Sequence, residues 1–133
     1  MMLEENKIVD QAQQVMGNLS QKGHMVTTSQ IRKFLTAVNT VTEKVNAYKL
    51  EKTDDYDTLP VELQAQIKYL KVKLAYQIGR NRSKWGNPVE DFEKEARLMS
   101  LIDGIKSSTK EYEKFAHYIE ALVAFHKFYG GED

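Results

Sequence analysis

Pro60-Val61-Glu62-Leu63-Gln64-Ala65-Gln66-Ile67-Lys68-Tyr69-Leu70-Lys71-Val72-Lys73-Leu74-Ala75-Tyr76-Gln77-Ile78-Gly79-Arg80-Asn81-Arg82-Ser83-Lys84 is the stretch that decides how this chain folds. Leu63, Ile67, Leu70, Leu74 and Ile78 recur at spacings of three and four, so on a helix they share one sector about 80° wide. Tyr69, Val72 and Tyr76 form a second apolar sector roughly opposite the first. Lys73, Arg80 and Lys84 run along one flank between the two sectors, and Lys68, Lys71 and Arg82 along the other. The spacing predicts a helix over 60–84 with two cationic ridges. A helix with two apolar faces is expected to pack on both, centrally in a bundle or at a subunit interface.

Helical periodicity continues on either side. Ile8, Ala12, Val15, Met16 and Leu19 predict a helix over 5–19, and Ile31, Leu35, Val38, Val41, Val45 and Tyr48 one over 28–50. Val89, Phe92, Ala96, Met99, Ile102 and Ile105 predict a fourth over 88–106. Tyr112, Phe115, Ile119, Leu122, His126 and Tyr129 predict a fifth over 109–129. The punctuation agrees. Thr27-Thr28-Ser29-Gln30, Asn87-Pro88-Val89-Glu90 and Ser108-Thr109-Lys110-Glu111 each place a capping oxygen three residues before a Gln or Glu. Pro60 and Pro88 sit where helices begin, and Gly130-Gly131 supplies a left-handed residue where the last one ends. No segment alternates with period two between hairpin turns, so no strand is predicted. The expected fold class is all-α, a compact bundle of about five helices. The polar connections between Leu19 and Thr27 and between Lys49 and Leu59 read as mobile.

The chain has 133 residues, enough for a domain that buries roughly two-thirds of its unfolded surface. Its 19 Lys/Arg and 19 Asp/Glu cancel, yet the average hides an imbalance. Residues 60–85 carry six cations (Lys68, Lys71, Lys73, Arg80, Arg82, Lys84) against Glu62 alone, while residues 86–133 carry six against ten acids. Such local asymmetry sets where a polyanion lands. An ordinary exposed helix interleaves Glu with Lys at i+4; after Glu62 this one has no carboxylate. Cysteine is absent, which excludes disulfides, thiolate metal sites and a cysteine nucleophile. No apolar run has bilayer-spanning length, and the Met1-Met2-Leu3-Glu4-Glu5 start lacks a secretory pattern, so the expected location is cytoplasmic.

Catalytic constellations are missing. His24 falls in a loop, while His117 and His126 stand nine residues apart on opposite helix faces and cannot share a metal. His126 lies in an apolar stripe and reads as a satisfied core or interface histidine. His117 with Glu120 has the reverse order of a ferritin-like pair. Gly104-Ile105-Lys106-Ser107-Ser108-Thr109 lacks the spacing of a phosphate loop and no strand precedes it. Glu90, Asp91, Glu93 and Glu95, beside Lys94 and Arg97, read as a solvated first turn favoured by the helix dipole. No cofactor, no metal and no enzymatic activity are expected.

Three blocks carry a family resemblance: Thr27-Thr28-Ser29-Gln30-Ile31-Arg32-Lys33-Phe34-Leu35, the run from Tyr69 to Arg80, and the closing Tyr118-Ile119-Glu120-Ala121-Leu122-Val123-Ala124-Phe125-His126-Lys127-Phe128-Tyr129-Gly130-Gly131. In this order and spacing the chain resembles the small subunit of the type III-A CRISPR effector, the Csm complex. The resemblance spans about Thr27 to Asp133. It therefore divides the chain into a variable N-terminal helix and loop (1–26) and a helical-bundle small-subunit domain (27–133), a single domain overall.

The resemblance implies a compact bundle, several copies of which line the guide-bearing backbone filament and help hold guide RNA and the target RNA paired to it. In this family target RNA cleavage belongs to the backbone subunits, and DNA cleavage and cyclic oligoadenylate synthesis to the large polymerase-like subunit. Implied partners are guide RNA, single-stranded target RNA, the backbone and large subunits, and neighbouring copies. Arg32, Lys33, Lys71, Lys73 and Arg80 become the implied RNA-facing cations, with Lys127 a further candidate. The basic helix adds Lys68. Arg82 and Lys84 extend the segment, and the Ser83–Pro88 junction is longer than the family's turn. Contacts are expected on phosphate and ribose, because sequence is read by base pairing, and Tyr69 and Tyr76 are expected to pack more than stack. The competing reading is a protein–protein adaptor whose basic helix meets an acidic partner without touching RNA.

Overall fold

In the computed structural model, residues 3–23, 25–52 and 55–132 are described. A 3-10 turn at Glu5–Lys7 leads into α1 (Ile8–Gln21). There follow α2 (Thr28–Glu51), α3 (Val61–Arg80), α4 (Pro88–Ala96), α5 (Leu98–Ile105) and α6 (Thr109–Phe128). The all-α bundle read from periodicity is the fold observed, with six α-helices among the described residues. His24 lies outside them.

The predicted starts are built as their chemistry requires. Thr27 Oγ1 accepts from the Gln30 N–H at 3.2 Å while Gln30 Oε1 accepts from the Thr27 N–H at 2.9 Å, a complete capping box. Asn87 Oδ1 and Ser108 Oγ accept from the N–H groups of Glu90 and Glu111, both at 3.1 Å. Each satisfies one of the donors a helix start leaves unpaired.

The fourth predicted helix is two. Arg97 takes a left-handed conformation, φ 59 and ψ 40, and separates α4 from α5. The reason lies in the phase of the apolar stripe. On one continuous helix Leu98 and Ile105 would stand about 180° and 160° from Val89. Restarting the helix at Leu98 lets Val89, Phe92 and Ala96, then Leu98, Leu101, Ile102 and Ile105, all face the core, and all seven are buried. A left-handed non-glycine residue costs about 1–2 kcal/mol, and the neighbours secure it. Tyr118 Oη donates to the Ala96 carbonyl at 3.1 Å. The freed Met99 N–H donates to Glu93 Oε2 at 3.3 Å. Glu93 therefore caps α5, and Glu95 accepts from Asn18 of α1 and from Lys22 just past its end; neither is the free solvated carboxylate expected.

The third helix stops at Arg80, short of Lys84. Asn81 Nδ2 and N–H both donate to the Gln77 carbonyl, closing the last turn. Arg82 and Lys84 therefore stand on a turn and leave the two helical ridges. The segment ahead of α3 is tied down, against the expectation of a mobile connection. The Leu59 N–H donates to the Ser107 carbonyl at 2.8 Å, the Thr109 N–H to the Asp57 carbonyl at 3.0 Å, and the Thr109 hydroxyl to the Tyr56 carbonyl. In the α1–α2 connection Val26 is buried.

α2 pairs with α3, α1 lies against α6 and α4, and α5 bridges α3 and α6. One core runs through the molecule, filled by Met16, Phe34, Leu74, Phe92, Phe115 and Leu122 among others. Tyr112 Oη links α6 to α2 through the Val38 carbonyl at 3.1 Å and the Thr42 hydroxyl at 2.7 Å. The C-terminal end closes the bundle. Gly130 has φ +84, as a residue ending a helix in this way requires. The Gly131 N–H then reaches the His126 carbonyl at 2.7 Å, and the Thr28 N–H reaches the Glu132 carbonyl at 3.1 Å. His126 is buried, with Nε2 2.6 Å from the Val26 carbonyl, which places the ring proton on Nε2. Of the two readings, core or interface, the structure gives the satisfied core histidine. Among the described residues no helix is long and apolar enough to cross a membrane.

Candidate functional site

The five residues of the α3 core stripe, Leu63, Ile67, Leu70, Leu74 and Ile78, are all buried. The second sector is not: Tyr69, Val72 and Tyr76 are 57%, 50% and 58% exposed. Within this chain α3 is packed on one side only, so it is not central in the bundle and the two tyrosines lie off the chain's core. Their rings are instead partnered by lysines. Lys73 Nζ lies 5.7 Å from the Tyr69 ring centroid, one turn along the same helix, and Lys33 Nζ reaches from α2 to 5.7 Å over Tyr76. Exposed pairs of this kind contribute about 0.5–1 kcal/mol each, enough to bias where the ammonium groups stand.

Between α2 and α3 runs an open groove of ≈ 720 Å³. Its floor is apolar, with Ala37, Val41, Ala65 and Leu70, and its rim holds Arg32, Lys33 and Lys73. None of the described residues lining it is acidic. The pairing of the helices explains why. Lys33 meets Tyr76 and Lys44 donates to Gln66 at 2.9 Å, so the helices run antiparallel and the start of α2 lies beside the end of α3. No carboxylate occurs from Thr27 to Thr42 or from Leu63 to Val89, and antiparallel pairing brings these two acid-free segments side by side. Arg80, exposed in the last turn of α3, continues the Lys73 flank two turns on.

The other predicted cations are dispersed. Lys71 points towards α5, where Nζ sits 2.8 Å from Asp103 Oδ1, an exposed pair that leaves Lys71 partly neutralised. Lys68 is exposed on the Lys71 flank. Arg82 and Lys84 belong to the α3–α4 turn, and Lys127, in the last turn of α6, does not line the groove. Of the nine candidates the structure therefore gathers Arg32, Lys33 and Lys73, with Arg80 in line.

The opposite side of α2 has the opposite character. A groove of ≈ 590 Å³ between α2 and α6 is lined by Glu113, His117 and Glu120 and by no Lys or Arg among the described residues. Glu113 accepts from Lys49, whose pKa this hydrogen bond raises. No group of three or more His, Asp or Glu among the described residues could hold a metal ion. The strongly shifted groups are the core tyrosines: burial pushes both Tyr112 and Tyr118 up to about 12.

The comparisons with known proteins agree on one family. The family model described as Csm2 Type III-A matches residues 3–132, a span that includes α1 as well as the three resembling blocks. The chain is 32% identical to a Streptococcus thermophilus protein named CRISPR system Cms protein Csm2, over 98% of each chain. A Mycobacterium tuberculosis (strain CDC 1551 / Oshkosh) protein of the same name is 28% identical over 97% of this chain and 96% of its own. One from Enterococcus italicus is 32% identical over 92% of this chain and 84% of its own. With the match running from the turn before α1 to the residue that closes on Thr28, this chain belongs to the Csm2 type III-A family.

Proposed function

We propose that the protein is a non-catalytic structural subunit of a cytoplasmic type III-A CRISPR ribonucleoprotein. It holds guide RNA and the target RNA paired to it by phosphates and riboses, beside the backbone and large subunits and neighbouring copies of itself. The observation that carries this reading is the acid-free α2–α3 groove with Arg32, Lys33 and Lys73 on its rim and Arg80 beyond. Cations held on rigid helices neutralise phosphates without reading bases. A few per copy bind weakly, and copies in register along one RNA bind together. Lys68, Lys71, Arg82, Lys84 and Lys127 extend the same contact outward, Lys71 by exchanging Asp103 for a phosphate.

The test is binding of single-stranded RNA across a salt series. Each neutralised single-strand phosphate contributes about 0.7 to the log–log slope. Replacing Arg32, Lys33 and Lys73 with Gln is therefore expected to flatten that slope by about 2 while leaving the helical fold intact, since all three are exposed. A flat plot for the unmodified protein, or equal binding by the triple variant, would overturn the RNA reading and favour an acidic protein partner for the same groove.

A further inference from the structure

Trp85, the chain's one tryptophan, is 76% exposed, on a turn that the groove does not include. An indole in water is a standing cost, and this one is displayed on a built pedestal. Ser83 Oγ donates to the Gly86 carbonyl at 2.9 Å and accepts from the Trp85 N–H at 3.2 Å, and the Gly86 N–H closes back on the Ser83 carbonyl at 3.3 Å. Both ends of the turn are tied to the end of α3. Asn81 Nδ2 donates to the Gln77 carbonyl at 2.7 Å, and Asn87 Nδ2 to the Ile78 carbonyl at 2.8 Å. Gly86, at φ +122, adopts a backbone that side-chain-bearing residues rarely take, and the position its Cβ would occupy has nothing within 4 Å.

Charge says what fits there. Lys84 Nζ lies 5.0 Å over the indole, Arg80 and Arg82 stand in the same segment, and no carboxylate occurs between Glu62 and Glu90. A ligand for this turn presents a flat π face to the ring and negative charge to the flanking cations, which is the chemistry of an unpaired nucleotide. We infer that the 82–86 turn is a stacking finger: Trp85 takes the face of an unpaired base while Arg82 and Lys84 take the adjoining phosphates. This deepens the RNA reading and rests on it. It adds a contact with bases that is sequence-tolerant, because every base has a π face, and selective for unpaired nucleotides, because paired bases already have both faces stacked.

The lone tryptophan is its own reporter. The purified full chain is titrated with fluorescently labelled oligoadenylate, following label anisotropy and Trp85 emission together, and then with a strand of the same length lacking bases. Oligoadenylate is expected to quench Trp85, and the abasic strand to bind without quenching. Trp85→Leu is expected to weaken oligoadenylate binding roughly tenfold with the salt slope unchanged, and Trp85→Phe to recover part of the loss. Anisotropy that rises with unmoved emission, together with equal binding by Trp85→Leu, overturns the finger and leaves the RNA reading standing. No rise in anisotropy overturns both. Emission that responds to the backbone or large subunit alone and never to RNA makes the turn a protein contact and overturns the finger too.

Discussion

Replacing Gly131 with Ala tests the closure at the C-terminal end. A Cβ there would lie 2.4 Å from His126 Cε1 and Nε2 and 2.6 Å from Cδ2, far inside van der Waals contact. The ring has no easy retreat, because it is buried and bonded to the Val26 carbonyl. Either the ring moves, or the tail lifts and loses its bonds from Gly131 to His126 and from Thr28 to Glu132. Moving the ring leaves buried polar groups unpaired at about 1–3 kcal/mol, and two lost backbone bonds cost about 1 kcal/mol each. Both routes converge on a loss of about 1–3 kcal/mol, a fall of roughly 4–11 °C in Tm for a chain of this length. Thermal melts followed by circular dichroism measure it. The decisive arm is a double-mutant cycle with His126→Ala. With the ring gone the clash is gone, and Gly131 has no positive φ, so Gly131→Ala becomes neutral or gains a few tenths of a kcal/mol from the stiffer unfolded chain. A Gly131→Ala protein that melts with wild type, or a cycle in which the two changes simply add, refutes the reasoning.

Three more outcomes are expected. Lys106 sits at φ 53 and ψ −115, a region glycine occupies freely, so Lys106→Gly is expected to raise the urea midpoint, with a net gain of about 1 kcal/mol and m unchanged; Lys106→Ala is expected to leave it where it is. Thr27→Ala removes the α2 capping box and is expected to cost about 1 kcal/mol by the same measurement. The folded-state pKa values of Tyr112 and Tyr118 are raised from 10.0 to about 12 by burial, so their contribution is complete below pH 10 and is lost as pH climbs towards 12. In melts from pH 8 to 12 the lead of wild type over the Tyr112→Phe/Tyr118→Phe double variant should shrink and then reverse; a lead independent of pH would contradict the assignment.

Much of the fold was legible because it rests on local rules. The three caps at Thr27, Asn87 and Ser108 and the stripe from Leu63 to Ile78 depend on residues three or four apart, and those distances are printed in the sequence. The break at Arg97 was legible too, in principle. The stripe drifts by nearly half a turn between Val89 and Ile105, a signal that a single helix spanning both cannot absorb. What stayed hidden depends on contacts between elements. Periodicity puts Lys71 and Lys73 on opposite flanks of α3, but which flank faces Asp103 of α5 and which the α2 groove is set by packing alone. The apolar sector of Tyr69 and Tyr76 reads equally as bundle centre or as interface, and only the structure shows that no element of this chain covers it. The groove needs the antiparallel register of α2 and α3, which no local pattern encodes.

The segregation of charge across α2 reaches beyond ligand binding, into how the protein behaves in a tube. At zero net charge there is no overall repulsion to keep molecules apart, while a cationic groove on one side and an acidic one on the other are free to find each other. Dilute buffer near neutrality is therefore its worst solvent. Added salt screens the attraction once the Debye length falls to about 10 Å near 0.1 M. The protein should salt in, clouding on dialysis and clearing when sodium chloride is restored.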